Sequence, residues 1–354
     1  MRLLKLRKML EDWLEYTKFD IFNPSVIYPI AVLSFLLAGI DGVTFSSFFL
    51  FVVFLLSFIC GTFLIKGGKS KKYDKIWELG LPLIIIGFLG LLTNLYFVGG
   101  IPFLNPDLRN KLYSSLTYTS FLIVPGTIIL FGKNLIQKRK KIAFLWFLTG
   151  LFLISLTGYR TEIFVLILGV MFTFYYLNRN IRYGKIFYIF IFLLLFGFNI
   201  ISILMRDTSI GSSFSRLSLT TSVFSSIVSN LGLSLFGFSG GSLTTSIFSS
   251  VDIIPGVGWG PRRYVSYLIG MRNEVTTTST ILGIPYIDFG IIGIVLLGFI
   301  LGLLFSRGYN CLKKNKDLLP LHALCLSFLL VTIETGIGDF IVILYFLAYV
   351  LLIL

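Results

Sequence analysis

Charge is scarce in this sequence. Asp, Glu, Lys and Arg together make up 13% of its 354 residues, where soluble globular domains carry about 25%. So little charge cannot clothe a water-facing surface. The 56% of hydrophobic residues is stable only where lipid replaces water around the outside. Histidine is almost missing: His322 stands alone, no Cys/His cluster accompanies it, and no zinc site is expected. Cysteine is equally sparse. Cys60, Cys311 and Cys325 fall in apolar runs or beside basic loops, so no disulfide framework is expected. The start, Met1 to Phe19, lacks the apolar core and small-residue cleavage site of a signal peptide. A phosphate-binding loop is lacking as well, because Gly68-Lys69-Ser70 has Phe63 where that motif needs glycine.

What is present is a succession of apolar runs. A helix crossing about 30 Å of hydrocarbon needs roughly 20 apolar residues. Such runs lie at 24–40, 44–65, 79–98, 114–132, 142–157, 161–178, 186–204, 285–305, 319–335 and 338–354. They predict an all-α polytopic membrane protein with about ten transmembrane helices. With the N-terminus inside, 22 of the 30 Lys and Arg residues fall in inner segments. Basic inner loops are the general bias of membrane proteins, and one miscounted span would invert every later loop. Both termini are therefore expected to be cytoplasmic. The net charge of +14 becomes a topology signal and an attraction to anionic membrane lipid, not a footprint for nucleic acid.

This topology divides the chain into four parts. In residues 1–22, Leu3, Leu6, Leu10, Trp13 and Leu14 share one helical face, which predicts a cytoplasmic interfacial helix. Residues 23–204 hold seven spans, 205–283 form a long outer loop, and 284–354 hold three more spans. The loop is rich in Ser, Thr and Gly, and includes Gly237-Phe238-Ser239-Gly240-Gly241. Within it Phe214, Leu217, Thr221, Phe224, Val228 and Leu231 recur at helical spacing and predict a helix along the outer interface. Long loops are often functional, so a substrate site is expected here.

The outer cations are all arginine apart from Lys111, whereas lysine dominates inside. Arginine offers a planar fork that grips phosphate through paired hydrogen bonds, while lysine is a point charge. Arg160, Arg206, Arg262 and Arg272 are the candidates for holding a diphosphate. Headgroup contact without a specific ligand is the competing explanation, strongest for Arg216 and Arg263. Carboxylates gather at the same level: Glu162 and Asp288 open spans, Glu334 closes one, and Asp339 opens the last. Ionisable groups in spans are costly and usually face a cavity or a partner. Asp288, Glu334 and Glu162 are candidate general bases, with packing at span ends as the alternative. Thr161 reads as a helix N-cap, which places Glu162 in a first turn that favours negative charge. His322 reads as a packing residue, and Gly298-x-x-x-Gly302 as a close helix contact. Nothing in the spacing argues for a metal or cofactor.

Three stretches resemble the Wzy-like oligosaccharide repeat-unit polymerases, the O-antigen polymerase group. Gly158-Tyr159-Arg160-Thr161 is similar to the Gly-x-Arg-Thr turn between two spans of that family. Pro261-Arg262 is similar to the Pro-Arg of its outer loop. Thr278-Ser279-Thr280-Ile281-Leu282-Gly283, with Tyr286-Ile287-Asp288-Phe289-Gly290 and Gly293, resembles the segment leading into the following span. Arg272 and Gly283 also match an Arg-x10-Gly spacing noted in some members. The resemblance implies a GT-C-like membrane glycosyltransferase in the cell membrane of a bacterium or archaeon. Its donor and acceptor would be glycans linked to undecaprenyl or dolichyl diphosphate, with no cofactor, and a flippase or chain-length regulator as partners. The related O-antigen ligases typically carry a histidine in the outer loop, and this loop has none. A transporter or flippase of lipid-linked glycans or another anionic solute is the competing class. Such proteins place binding groups near mid-bilayer, whereas the charges here lie at the outer edge.

Overall fold

The computed structural model describes residue 20 and residues 22–64, 74–178, 210–249, 261–271 and 277–353. Among the described residues there are helices and no strand. In chain order they are α1 (Pro24–Ala38), α2 (Phe45–Phe63), α3 (Gly80–Val98), α4 (Ser114–Ser120), α5 (Ile123–Ile136), α6 (Lys140–Ser155) and α7 (Arg160–Leu177). They continue with α8 (Ile210–Leu231), α9 (Ser242–Ser249), α10 (Pro261–Leu268), α11 (Gly283–Lys314), α12 (Leu319–Thr335) and α13 (Phe340–Ile353). Every expected span falls on these helices except 186–204, which lies outside the described residues. The interfacial helix expected over 1–22 lies outside them too, apart from Asp20 and Phe22. Among the described residues, six stretches are long and apolar enough to cross a membrane, from Phe45–Phe63 to Lys316–Thr335. The rest are shorter helices such as α1 and α13.

Helices α7 and α12 form the middle of the bundle. Both are apolar on every side, the pattern of a helix surrounded by other helices, and α12 is buried along almost its whole length. Helices α1, α5 and α7 pack on it. Beside them, α2 and α11 run in close contact because glycine removes the side chains between their backbones. A Cβ on Gly298 would lie 2.6 Å from the Phe54 carbonyl oxygen, and Gly302 approaches the Phe58 carbonyl more closely still. Gly61 returns the arrangement from α2 toward Phe299. The Gly298-x-x-x-Gly302 spacing is a packing seam.

The helix expected inside the long loop is α8. Its buried stripe contains Leu217, Thr221, Phe224 and Val228, and it packs against the turn joining α1 to α2. Thr221 Oγ1 donates to the Gly39 carbonyl at 2.8 Å, and Ser225 Oγ to the Gly42 carbonyl at 2.8 Å. Phe51 and Phe224 meet edge to face. These bonds anchor the start of the long loop on the first two helices. At the opposite end, Asp20 accepts hydrogen bonds from Tyr175, at 2.8 Å, and from Tyr309. His322 is fully buried there among Tyr176, Phe305, Tyr309 and Tyr349, in the packing role its position suggested.

Candidate functional site

The turn between α6 and α7 delivers two charged residues into the bundle. Gly158 adopts φ 73° and passes beside Pro102. A side chain is disfavoured in that left-handed conformation. Helix α7 then begins at Arg160 with Tyr159 as its N-cap. The expectation that Thr161 caps this helix is therefore corrected. The glycine turn is so tight that helical geometry starts two residues earlier, and Thr161 falls inside the first turn. Arg160 is buried at the N-terminus of α7, where the helix dipole disfavours a cation. Glu162 sits in the same turn, 3% exposed. Its Oε2 meets no hydrogen-bond donor among the described residues.

Glu162 lines a cavity of about 190 Å³. Ser114, Thr117 and Tyr118 of α4 form one wall, with Tyr159 and Thr161 beside Glu162. Arg262, from the second residue of α10, and Asp339, just before α13, form another. Arg262 Nη2 and Asp339 Oδ2 are 2.6 Å apart. The guanidinium of Arg109, on the short helical turn Pro106–Lys111, lies 5.7 Å from the centre of the Tyr159 ring. Burial pushes the Tyr159 phenol above its ordinary pKa, against the pull of Arg109, so its hydroxyl keeps its proton at neutral pH.

The segment before α11 locks this end of the bundle. Thr277 N donates to the Arg262 carbonyl, and Ser266 Oγ donates to Thr277 Oγ1 at 2.8 Å. Thr280 has φ 61°, a strained conformation for a β-branched residue. Its carbonyl oxygen lies where a Cβ on Gly336 would come within 2.9 Å. The motif Thr278 to Gly283 is thus a strained turn pressed on the glycine that follows α12. Such strain persists where surroundings over-determine it, often at functional sites. Glu334, two residues before that glycine, faces a second cavity of about 50 Å³ between α1, α7, α8 and α12.

Asp288 stands apart from both cavities. Helix α11 is broken at Gly290, which has φ 63° and ψ −147°. The segment 234–239 fills the break. Phe238 N donates to the Ile287 carbonyl, while Ile291 N and Ile292 N donate to the carbonyls of Ser234 and Leu235. Gly237 lies directly on the Asp288 carbonyl, and a Cβ on Gly290 would lie 2.7 Å from the Phe236 carbonyl oxygen. The Asp288 carboxylate accepts from Leu243 N at 3.1 Å, Thr244 N at 2.7 Å, Thr244 Oγ1 at 2.5 Å, and Ser239 Oγ. It holds the first turn of α9 by charge and hydrogen bonds together.

Of the residues singled out from sequence, the structure gathers Arg160, Glu162 and Arg262 at one end of the bundle, with Glu162 and Arg262 in one cavity. Glu334 lines a neighbouring cavity, and Asp288 clasps a loop. Arg206 and Arg272 lie outside the described residues. Arg109, Tyr118 and Tyr159 also belong to this site. Their signals in the sequence are slight: Arg109 is one of the few cations expected outside, Tyr159 lies in the Gly158–Thr161 turn, and Tyr118 has none. Asp339 was noted as acidic, but nothing linked it to Arg262.

The family model described as "Putative O-antigen polymerase" matches residues 20–346. A relative from Methanocaldococcus jannaschii, described as an uncharacterized protein, is 29% identical over 312 residues. The alignment covers 85% of this chain and 84% of that relative. No solved structure matches the chain.

Proposed function

The chain belongs to the O-antigen polymerase family, and from that premise we propose that it joins lipid-linked oligosaccharide repeat units at the outer face of the cell membrane. One observation carries the reading: Glu162 and Arg262, from distant segments, line one cavity at the end of the bundle where the long loop packs. An acceptor hydroxyl oxygen attacks the anomeric carbon of the donor glycan. The bond from that carbon to the phosphate oxygen breaks, and its electron pair leaves with the lipid diphosphate. The hydroxyl proton passes to Glu162. Diphosphate is already a good leaving group, so the protein must mainly position the partners and stabilise charge.

Arg262 holds the diphosphate, together with Arg206 and Arg272 of the same loop, and Arg160, buried at the start of α7, adds positive charge at that end of the bundle. Among the three candidate bases, Glu162 fits best because its Oε2 accepts from no donor among the described residues and its side chain lines the cavity with Arg262. The oxygens of Asp288 already accept from four, and Glu334 faces the other cavity. The carrier is an undecaprenyl or dolichyl chain held among the apolar helices. A flippase delivers the units, and a chain-length regulator is the other expected partner.

The break in α11 is the feature that a transporter would share. Its freed backbone groups bond to residues 234–239, however, and are not aimed into the cavity. Proteoliposomes given a fluorescent lipid-linked repeat unit separate the two classes. Longer glycans with released lipid diphosphate support polymerisation. Movement of the lipid across the bilayer with no new glycosidic bond overturns it in favour of a flippase.

A further inference from the structure

The cavity beside Glu162 offers a diphosphate no uncommitted cation among its described lining. Its one guanidinium, that of Arg262, is already paired with Asp339. An anion entering it would be desolvated without a cation to pair with, which is costly in a region of low dielectric. The remaining lining is suited to a neutral, hydroxyl-bearing group. Ser114 and Thr161 offer hydroxyls, that of Thr117 already bonds Asn94 and the Tyr113 carbonyl, and Tyr118 and Tyr159 add aromatic walls beside apolar Leu112, Phe121 and Ile341. Glu162, 97% buried and lining the cavity, has an oxygen that accepts from no described group. A carboxylate so placed needs an outside donor to meet the cost of its burial. At about 190 Å³ the space falls below the roughly 300–1,000 Å³ of drug-sized ligand sites, which limits the occupant to about one ring.

We propose that this cavity is a subsite for a single sugar ring, the terminal ring of the acceptor glycan, and that the diphosphate of the donor stays at its rim. The proposal rests on the polymerase reading for the word acceptor, but the sugar subsite stands on the lining alone. Glu162 accepts a hydroxyl hydrogen bond from the ring, and Tyr118 and Tyr159 pack against its apolar face. Arg262 lies at the junction. It forms part of the cavity wall through Asp339 and keeps its exposed side for phosphate. Arg109, held against the Tyr159 ring, adds a second cation on the rim.

The test uses the full-length protein in lipid nanodiscs with two separate probes. One is a panel of methyl pyranosides of neutral, acetamido and uronic sugars; the other is inorganic pyrophosphate. Binding is read by saturation-transfer NMR on the sugars and by competition against the lipid-linked substrate. The expected result is that at least one pyranoside binds. Glu162→Gln should weaken it about tenfold, a loss near the worth of one hydrogen bond to a charged group, and Tyr118→Ala about two- to tenfold through lost ring contact, with pyrophosphate binding unchanged. Both variants must match the wild type in thermal unfolding; Thr161→Val, a smaller change in the same cavity lining, serves if either does not. The proposal is overturned if no pyranoside binds, if binding ignores all of these substitutions, or if Glu162→Gln changes only pyrophosphate binding. The polymerase reading fails separately: pyranoside binding without any glycan extension by the wild type keeps the sugar subsite and removes the polymerase.

Discussion

Arg262 and Asp339 meet at 2.6 Å across 77 positions of sequence. The pair joins α10, from the long loop, to the start of α13, and it orients a guanidinium at the mouth of the Glu162 cavity. Both side chains are about one-third exposed, so the pair adds little to stability, on the order of 0.2–1 kcal/mol. Its value lies in direction.

Replacement of this pair should therefore separate activity from folding. Arg262→Lys keeps the charge and removes the fork. It should lower the rate of glycan extension about ten- to hundredfold, the loss of one charge-assisted hydrogen bond, with thermal unfolding almost unchanged. Asp339→Asn should produce a smaller loss in the same direction. Equal rates for Arg262→Lys and the wild type would remove Arg262 from phosphate binding.

Asp288 should behave in the opposite way. Its carboxylate bonds two backbone amides at the start of α9 and two hydroxyls. Asp288→Ala orphans those donors and should destabilise the loop by about 2–3 kcal/mol. Hydrogen exchange should rise first at residues 237–249, before α7 and α12 are affected. Full protection of that segment in Asp288→Ala, with lost activity, would point instead to a direct chemical role.

Gly290 carries the break of α11, and its φ of 63° is open to few other residues. Gly290→Val should cost about 1–3 kcal/mol through strain and expel the 234–239 segment. Limited proteolysis at that segment is the measurement. Cleavage no faster than in the wild type would contradict the docking of this segment into the break.

Arg109 rests on the Tyr159 ring, and such a contact is worth about 0.5–1 kcal/mol at an exposed site. Arg109→Gln should raise the KM for the lipid-linked donor a few-fold and leave pyranoside binding in place. A change in pyranoside binding with no change in that KM would move Arg109 from the rim to the sugar subsite.

The features readable from sequence were those with a local signature. Apolar runs marked the spans, the spacing from Phe214 to Leu231 marked α8, and Gly298-x-x-x-Gly302 marked the seam with α2. The turn at Gly158 was visible because two apolar runs leave only three residues between them. Features that depend on distant partners were not readable. Asp288 has the same residue type and span-end position as a general base, and only residues 239–244 reveal its role as a clasp. Gly290 is one glycine among several in an apolar run, so the break in α11 has no sign of its own. The same holds for Arg262, whose partner is separated from it by two helices.

Extension of one purified lipid-linked repeat unit, followed by glycan length and release of lipid diphosphate, tests the central claim most directly. Wild type should give a ladder with one diphosphate released per bond formed, while folded Glu162→Gln should give almost none and Arg262→Lys should extend about ten- to hundredfold more slowly. A wild-type ladder matched by both variants would contradict the role assigned to this cavity, and no ladder from the wild type would contradict polymerisation itself.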